Sequence, residues 1–189
     1  MRRLIYFGVF ALLLMAVTAA AQDRQLSKHP GYIDLDDIRI PDDAEEVTEI
    51  DLGQGLLRLM TLFTDDEEAK EVGDELSRLF SIRVKSFTLD DDAELVHMRS
   101  LMEKKEKELD KNDWERLVRT KSKNELSIIS IKVVKEKTVG LFIMSLDADG
   151  SVSFVNIVGG VNLTTLTEMG IGLSDSTLKA LEDNWKDVP

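Results

Sequence analysis

The sequence predicts an α+β protein, in which a mostly antiparallel sheet of about five strands carries helices packed mainly on one of its faces. Two observations predict this class. From Trp114 onward, apolar residues alternate with a period of two over four segments joined by short turns, which is typical of antiparallel neighbours. Segments with helical periodicity precede and follow that run. Strands gathered together, with helices before and after them, favour helices segregated on one side of a sheet.

The first 21 residues have the pattern of a signal peptide. Arg2 and Arg3 give a basic start, residues 4–17 are apolar, and Ala19 and Ala21 occupy the small-residue positions of an A-x-A cleavage site. An uncleaved anchor is the alternative, because the apolar run reaches 18 residues when it is counted to Ala21. Cleavage after Ala21 is the preferred interpretation. It predicts a periplasmic or secreted protein without a stable membrane anchor after signal cleavage.

Residues 22–46 form a polar N-terminal arm, interrupted by Pro30 and Pro41. We expect the arm to be partly disordered over 22–28, whereas the apolar residues of 31–40 predict that this part packs on the domain. Residues 47–189 then form a single α+β domain. It begins with a short strand over 47–52 and an almost wholly apolar helix over 56–63, which we expect to be buried.

The next segments predict two longer helices around a strand. Thr64 and Glu67 form a capping box for a helix that reaches about residue 80. Residues 82–87 predict a strand, and residues 90–92 begin a second helix with apolar residues at helical spacing. This helix connects the strand to the later strands as a crossover, which is right-handed if the two strands lie parallel.

The remaining segments predict four strands and two short helices. The strands cover residues 114–120, 126–135, 138–146 and 152–158, with a tight turn at 147–150. The strand 138–146 is apolar on both alternations, which predicts a central strand covered on both faces. A helix over 163–169 and a final helix capped by Ser174 follow.

Composition excludes several functional classes. The chain has 189 residues, a net charge of −12, two His and no Cys. A chain without Cys has no disulfide scaffold, thiol chemistry or Cys-based zinc site. A field this acidic repels phosphate backbones, so we expect no nucleic-acid binding. An exported chain without Cys favours a bacterial envelope or secreted location over a disulfide-rich extracellular one.

Acidic clusters are the first candidates for chemistry. Asp147 and Asp149 resemble the start of a calcium loop, but the twelfth position is Val158 instead of Glu, so a hairpin turn is the preferred interpretation. The three aspartates at 90–92 are better explained as a helix cap and an acidic first turn, which the helix dipole favours, than as a cation site. We therefore expect no catalytic residues, no metal and no cofactor.

The other candidate side chains have equally plain interpretations. His29 and His97 lack grouped partners, and we expect structural roles for both. The basic residues Arg119, Lys121 and Lys123 favour a solvated turn over a small anion-binding patch. Trp114 and the C-terminal Trp185 fit either the core or an interface, and the sequence leaves this choice open.

Three segments carry a family resemblance. The arm residues 29–34, the Leu-rich stretch 56–63 and the Gly-containing segment 155–163 are similar to the bacterial domain-of-unknown-function family 4252, over residues 30–185. The resemblance implies a small exported single-domain protein, and it implies no activity and no functional residues. Many members of that family are lipid-anchored through a Cys, which this chain does not have.

These observations favour a non-enzymatic interaction module exported to the envelope. Its partner would be an envelope protein or a second copy of the chain, bound through an exposed strip of the sheet or an unpaired strand edge. One alternative is a carboxylate- or metal-dependent hydrolase that uses Asp90, Asp92, Asp147 and Asp149. Another alternative is an envelope-stress or regulatory component, suggested by family association alone.

Overall fold

The computed structural model describes residues 25–61, 73 and 76–160. The elements are β1 (Glu45–Gly53), α1 (Gln54–Thr61), β2 (Leu79–Thr88), α2 (Asp92–Lys111), β3 (Trp114–Lys121), β4 (Leu126–Val134), β5 (Lys137–Leu146) and β6 (Ser151–Gly159). All strands of the described residues form one sheet in the order β1-β2-β6-β5-β4-β3, and every neighbouring pair is antiparallel. The predicted α+β class with an antiparallel sheet is confirmed.

The predicted number of about five strands is wrong, because the described sheet has six. The additional strand is β1, which pairs with β2 from Glu45 opposite Thr88 to Gly53 opposite Ser81. Its alternating pattern predicts a strand, but no local signal shows which strand it pairs with, since the partner lies more than 25 residues away in the chain. The predicted helical crossover is present as α2, which leads from β2 to β3 at the opposite edge.

The sheet carries an apolar layer on each face. We name these the α2 face and the α1 face, after the helix that contributes to each layer. The buried layer of the α2 face includes arm, helix and strand residues: Leu35, Ile38, Phe87, Leu89, Met98, Met102, Leu109, Trp114, Leu126, Ile128, Phe142, Met144, Leu146, Val152 and Phe154. The layer of the α1 face consists of Leu57, Leu76, Leu79, Ile82, Val118, Ile129, Ile131, Leu141, Ile143, Val155 and Ile157.

The described helices therefore lie on opposite faces, and the expected gathering of helices on one face is not shown. The reason is visible in β5, where successive residues Phe142 and Ile143 belong to different layers and are both buried. A strand that is apolar on both sides needs cover on both sides. The helices predicted over 64–80, 163–169 and from Ser174 lie largely or wholly outside the described residues, as do Ala19 and Ala21.

Helix α1 differs from the buried helix that its composition predicts. Leu57 is fully buried, whereas Leu56 and Leu59 are each 46% exposed. A short helix that packs on a sheet buries one stripe, so leucines on its remaining sides contact solvent. Among the described residues, no helix combines the length and apolar character that crossing a bilayer requires.

Candidate functional site

The most open part of the described sheet is the edge strand β1. Seven of its nine residues are exposed, and they include two apolar side chains, Val47 at 49% and Ile50 at 40%. Within the described residues, β1 pairs only with β2, so the outward side of residues 45–53 has no strand partner. We name this side the β1 edge. Unpaired backbone N–H and C=O groups on such an edge can accept another extended segment.

The β1 edge is acidic. The strand contains Glu45, Glu46, Glu49 and Asp51 and no basic residue. Asp51 pairs with Arg83 at 3.1 Å, and Glu49 pairs with Lys85 at 3.2 Å. Both carboxylates remain more than half exposed, so they retain capacity to accept hydrogen bonds from a further cation.

The side chains of β1 alternate between the two faces of the sheet. Asp51 and Glu49 lie on the α2 face with their basic partners, which places Ile50 and Leu52 on the α1 face. The register shift between Glu45 and Thr48 marks a bulge, and Glu46 has a φ of 50°. Regular strand geometry therefore begins at Thr48.

Two basic side chains of β2, the strand next to β1, form hydrogen bonds with the N-terminal arm. The Lys85 Nζ donates to the backbone oxygens of Leu35 at 3.0 Å and Ile38 at 3.1 Å. The Arg83 guanidinium donates to the Tyr32 hydroxyl at 2.9 Å and to Asp36 at 3.0 Å. Burial raises the pKa of Tyr32, although Arg83 opposes this, so the hydroxyl stays neutral at physiological pH.

A third polar side chain, Asn156 on β6, fastens the arm near the centre of the sheet. It is fully buried. Its Oδ1 accepts from the Ile33 amide at 2.9 Å, and its Nδ2 donates to the oxygens of Gly31 at 3.0 Å and Leu141 at 3.1 Å. At this crossing the arm and β5 approach so closely that a Cβ on Gly140 would lie 2.5 Å from the Gly31 Cα. Only glycines permit this contact.

An open cleft of about 480 Å³ lies between the arm and α2. Its lining includes several acids, namely Asp37, Asp42, Asp43 and Glu94, together with Arg39 and His97. His97 is exposed.

The aspartates of the hydrolase alternative lie at one end of the sheet. The Leu89 amide donates to the Gly150 oxygen at 3.1 Å, which brings the β2–α2 loop against the β5–β6 turn. Asp91, which lies between Asp90 and Asp92 and is not one of the four, caps α2 by accepting from the Ala93 and Glu94 amides. Asp149 accepts from the Ser151 amide at 3.0 Å, and this hydrogen bond lowers the pKa of its carboxyl group. These are local turn and cap contacts.

Metal-ligating side chains do not converge elsewhere in the described part of the chain. No group of three or more His, Asp or Glu residues that could hold a metal ion occurs there. His29 Nδ1 accepts from the Gly31 amide at 3.2 Å, and its ring centroid lies 5.1 Å from that of Phe80. Burial lowers the pKa of His29. Trp114 is buried in the layer of the α2 face, whereas Trp185 lies outside the described residues.

Of the three basic residues near position 120, Lys123 lies in the exposed turn between β3 and β4 that the sequence favours, whereas the other two lie at the end of β3. Arg119 and Lys121 lie on β3 and pair with carboxylates of α2: Arg119 with Glu106 at 3.1 Å, and Lys121 with Glu103 at 2.7 Å. Sequence reasoning missed Glu106, a buried carboxylate that also pairs with Arg116 at 2.6 Å. A signal was present, since Glu106 follows Met98 and Met102 at the spacing of the buried helical stripe.

Comparison with known proteins identifies one family. A family model described as a domain of unknown function (DUF4252) matches residues 42–169 of the chain. This confirms the resemblance seen in the sequence. No curated protein and no solved structure matches the chain.

Proposed function

The chain belongs to the DUF4252 family, whose function is unknown, and from this premise we propose that it is an exported, non-enzymatic interaction module. Its binding site is the β1 edge, and its ligand is an extended segment of a partner that carries basic side chains. The single observation that carries this proposal is a nine-residue edge strand, exposed along most of its length. Strand addition to such an edge forms main-chain hydrogen bonds irrespective of most side chains.

The charge of the edge supports a basic partner. All four ionisable residues of β1 are acids. Complementary charge accelerates encounter and suppresses partners of the same sign. An acidic segment would place like charges opposite one another, which destabilises strand pairing.

The anchoring of β2 supports a rigid binding surface. Arg83 and Lys85 connect β2 to both the arm and β1, and the two side chains are only 12% and 10% exposed. A strand that is already held in its extended form loses little conformational entropy when a partner binds. The same cationic groups hold the carboxylates of Glu49 and Asp51 in place on the α2 face of β1.

The predicted location and the alternative functions rest on observations other than the β1 edge. Export rests on the signal-like pattern that ends at Ala21, and it places the partner in the periplasm or outside the cell. The hydrolase and the envelope-stress or regulatory component remain alternative hypotheses. Of the four aspartates of the hydrolase alternative, Asp149 accepts a hydrogen bond within a turn, and this contact gives neither alternative additional support.

A peptide-binding measurement tests the proposal. The probe is a fluorescent eight-residue peptide in which Lys and Val alternate, and a peptide of alternating Glu and Val is its control. We expect fluorescence anisotropy to give a Kd on the order of 50 µM for the Lys peptide, equivalent to about −6 kcal/mol. Added salt should weaken this binding. The Glu peptide should show no binding at the same concentration.

Two matched variants locate the binding site. Ile50→Lys adds a positive charge to the β1 edge, and Val96→Lys makes the same change at a more exposed apolar residue on α2. The first variant should lose binding of the Lys peptide, and the second should retain it. Equal binding by both variants, or no binding of the Lys peptide by the unmodified protein, would overturn the proposal.

A further inference from the structure

The opposite edge of the sheet carries basic side chains, which are complementary to the acidic β1 edge. Strand β3 is the other edge of the described sheet, and five of its eight residues are exposed. It carries three bases, Arg116, Arg119 and Lys121, and one acid, Glu115. Because the sheet has six strands and each neighbouring pair is antiparallel, β1 and β3 run in opposite directions.

From this arrangement we infer that the partner segment is β3 of a second copy of this chain. The inference rests on the proposed function, because it names the ligand of the β1 edge. A second copy placed in the same orientation brings its β3 beside β1 as an antiparallel neighbour, the most common type of strand pair. The α2 face and the α1 face then each continue from one molecule to the next.

Bulges restrict the register of this contact. Strand β1 is regular from Thr48 onward, and β3 is regular from Val118 onward, since its register shift lies between Arg116 and Val118. The four regular residues 118–121 of β3 can therefore pair without interruption with four of the six regular residues 48–53 of β1, and we place them opposite 49–52. This short ladder predicts a weak contact that depends on protein concentration.

In that register the side chains of both faces are complementary. On the α2 face, Asp51 lies opposite Arg119, and Glu49 lies opposite Lys121. On the α1 face, Leu52 lies opposite Val118. Opposite-charge and apolar cross-strand pairs of this kind each contribute about 0.2–1 kcal/mol. Each charged residue keeps its partner within its own molecule, because a carboxylate accepts from more than one donor.

A symmetrical contact between two β1 edges is the less favourable arrangement. It would bring two wholly acidic strands together, and like charges directly opposite are destabilising. The β1–β3 contact is instead heterologous, and a pair of copies joined by it leaves one β1 edge and one β3 edge free. A contact of this type produces open chains of molecules unless its rotation closes a ring.

Cysteine crosslinking tests the inference without background, because the chain contains no Cys. In the proposed register Ile50 of one copy lies opposite Thr120 of the next, and both residues are exposed. The double variant Ile50→Cys/Thr120→Cys should form dimers, trimers and longer species on mild oxidation. The two thiols of one molecule cannot pair, since five strand spacings separate them by roughly 24 Å, whereas disulfides need Cα atoms about 4.4–6.8 Å apart.

Controls separate the specific contact from random collision. The variant Ile50→Cys/Val96→Cys replaces the second thiol position with one on α2, and we expect it to crosslink at least about tenfold more slowly. A mixture of the single variants Ile50→Cys and Thr120→Cys should give dimers that contain one copy of each. Crosslinking of the double variant no faster than this control, or equally fast dimerisation of Ile50→Cys alone, would overturn the inference.

The peptide measurement distinguishes failure of the inference from failure of the proposed function. Binding of the Lys peptide without specific crosslinking would support the β1 edge as a binding site and overturn the second copy as its partner. Specific crosslinking with an Ile50–Thr120 disulfide would support the inference. Absence of both peptide binding and specific crosslinking would overturn the inference and the proposed function together.

Discussion

The hydrogen bonds of Asn156 make a quantitative prediction about how the arm is held. This buried amide bonds the Ile33 amide, the Gly31 oxygen and the Leu141 oxygen, at 2.9, 3.0 and 3.1 Å. Replacing it by Leu keeps a side chain of similar size and removes every one of these bonds. Because Asn156 is fully buried, the backbone groups that it leaves behind are shielded from water unless the arm moves.

The size of the effect follows from these three described bonds. A hydrogen bond contributes about 0.5–1.5 kcal/mol net, and a buried group left without a partner costs about 1–3 kcal/mol. Two of the three partners belong to the arm, which can shift and recover contact with solvent. The maximal costs of the three unpaired groups should therefore not be added together. We expect Asn156→Leu to lower the free energy of unfolding by about 2–4 kcal/mol.

Urea unfolding and trypsin digestion measure this effect together. With an m-value of about 2 kcal/mol/M, the midpoint should fall by about 1–2 M urea. Cleavage after Arg39 should accelerate under native conditions, since the arm opens before the sheet. The control Asn124→Leu, at an exposed turn residue, should change stability by less than about 0.5 kcal/mol. If Asn156→Leu unfolds like this control and its arm is no more sensitive to trypsin, then Asn156 does not hold the arm.

Three further changes test other contacts. Gly140→Ala would place a Cβ 2.5 Å from the Gly31 Cα, so it should lower the free energy of unfolding in urea by about 2 kcal/mol or more. In the control Gly55→Ala, the new Cβ has no atom within 4 Å, so the change should be neutral or stabilising by about 1 kcal/mol. Glu106→Gln removes the buried charge that two partly exposed arginines contact, and it should lower the free energy of unfolding by about 1–3 kcal/mol at low salt. An unchanged urea midpoint would show that the two ion pairs of Glu106 contribute nothing to stability. Burial lowers the pKa of His29 below its value of 6.5, so the unfolded chain binds the proton more readily, and thermal stability should fall as the pH drops below about 6.5. The variant His29→Gln should lose that part of the pH dependence, and identical pH profiles for both proteins would contradict this assignment.

Local signals predict the meander and the helix before it. Strands β3 to β6 alternate regularly and are joined by short turns, so their pairing follows from the sequence order. Helix α2 begins after the predicted acidic cap and buries Met98, Met102 and Leu109, which recur at the helical spacing that the sequence shows. These features depend on residues close together in the chain.

Distant pairing explains what the sequence does not reveal. The place of β1 in the sheet depends on β2, and the burial of Lys85 depends on backbone oxygens of Leu35 and Ile38, about 50 residues earlier in the chain. Lysine and arginine are usually exposed, so no composition rule predicts two that lie nearly buried beneath an arm. The acidic character of β1 is visible in the sequence, but its meaning as an edge requires the strand order.

Amide hydrogen exchange with and without the Lys peptide tests most directly whether the β1 edge is a binding site. A bound strand protects the backbone amides that point away from the sheet. The account predicts slower exchange within residues 48–53 when the peptide is present, with unchanged exchange in α2 and in the cleft beside His97. Unchanged exchange in residues 48–53, or protection that appears in the cleft instead, would contradict the account.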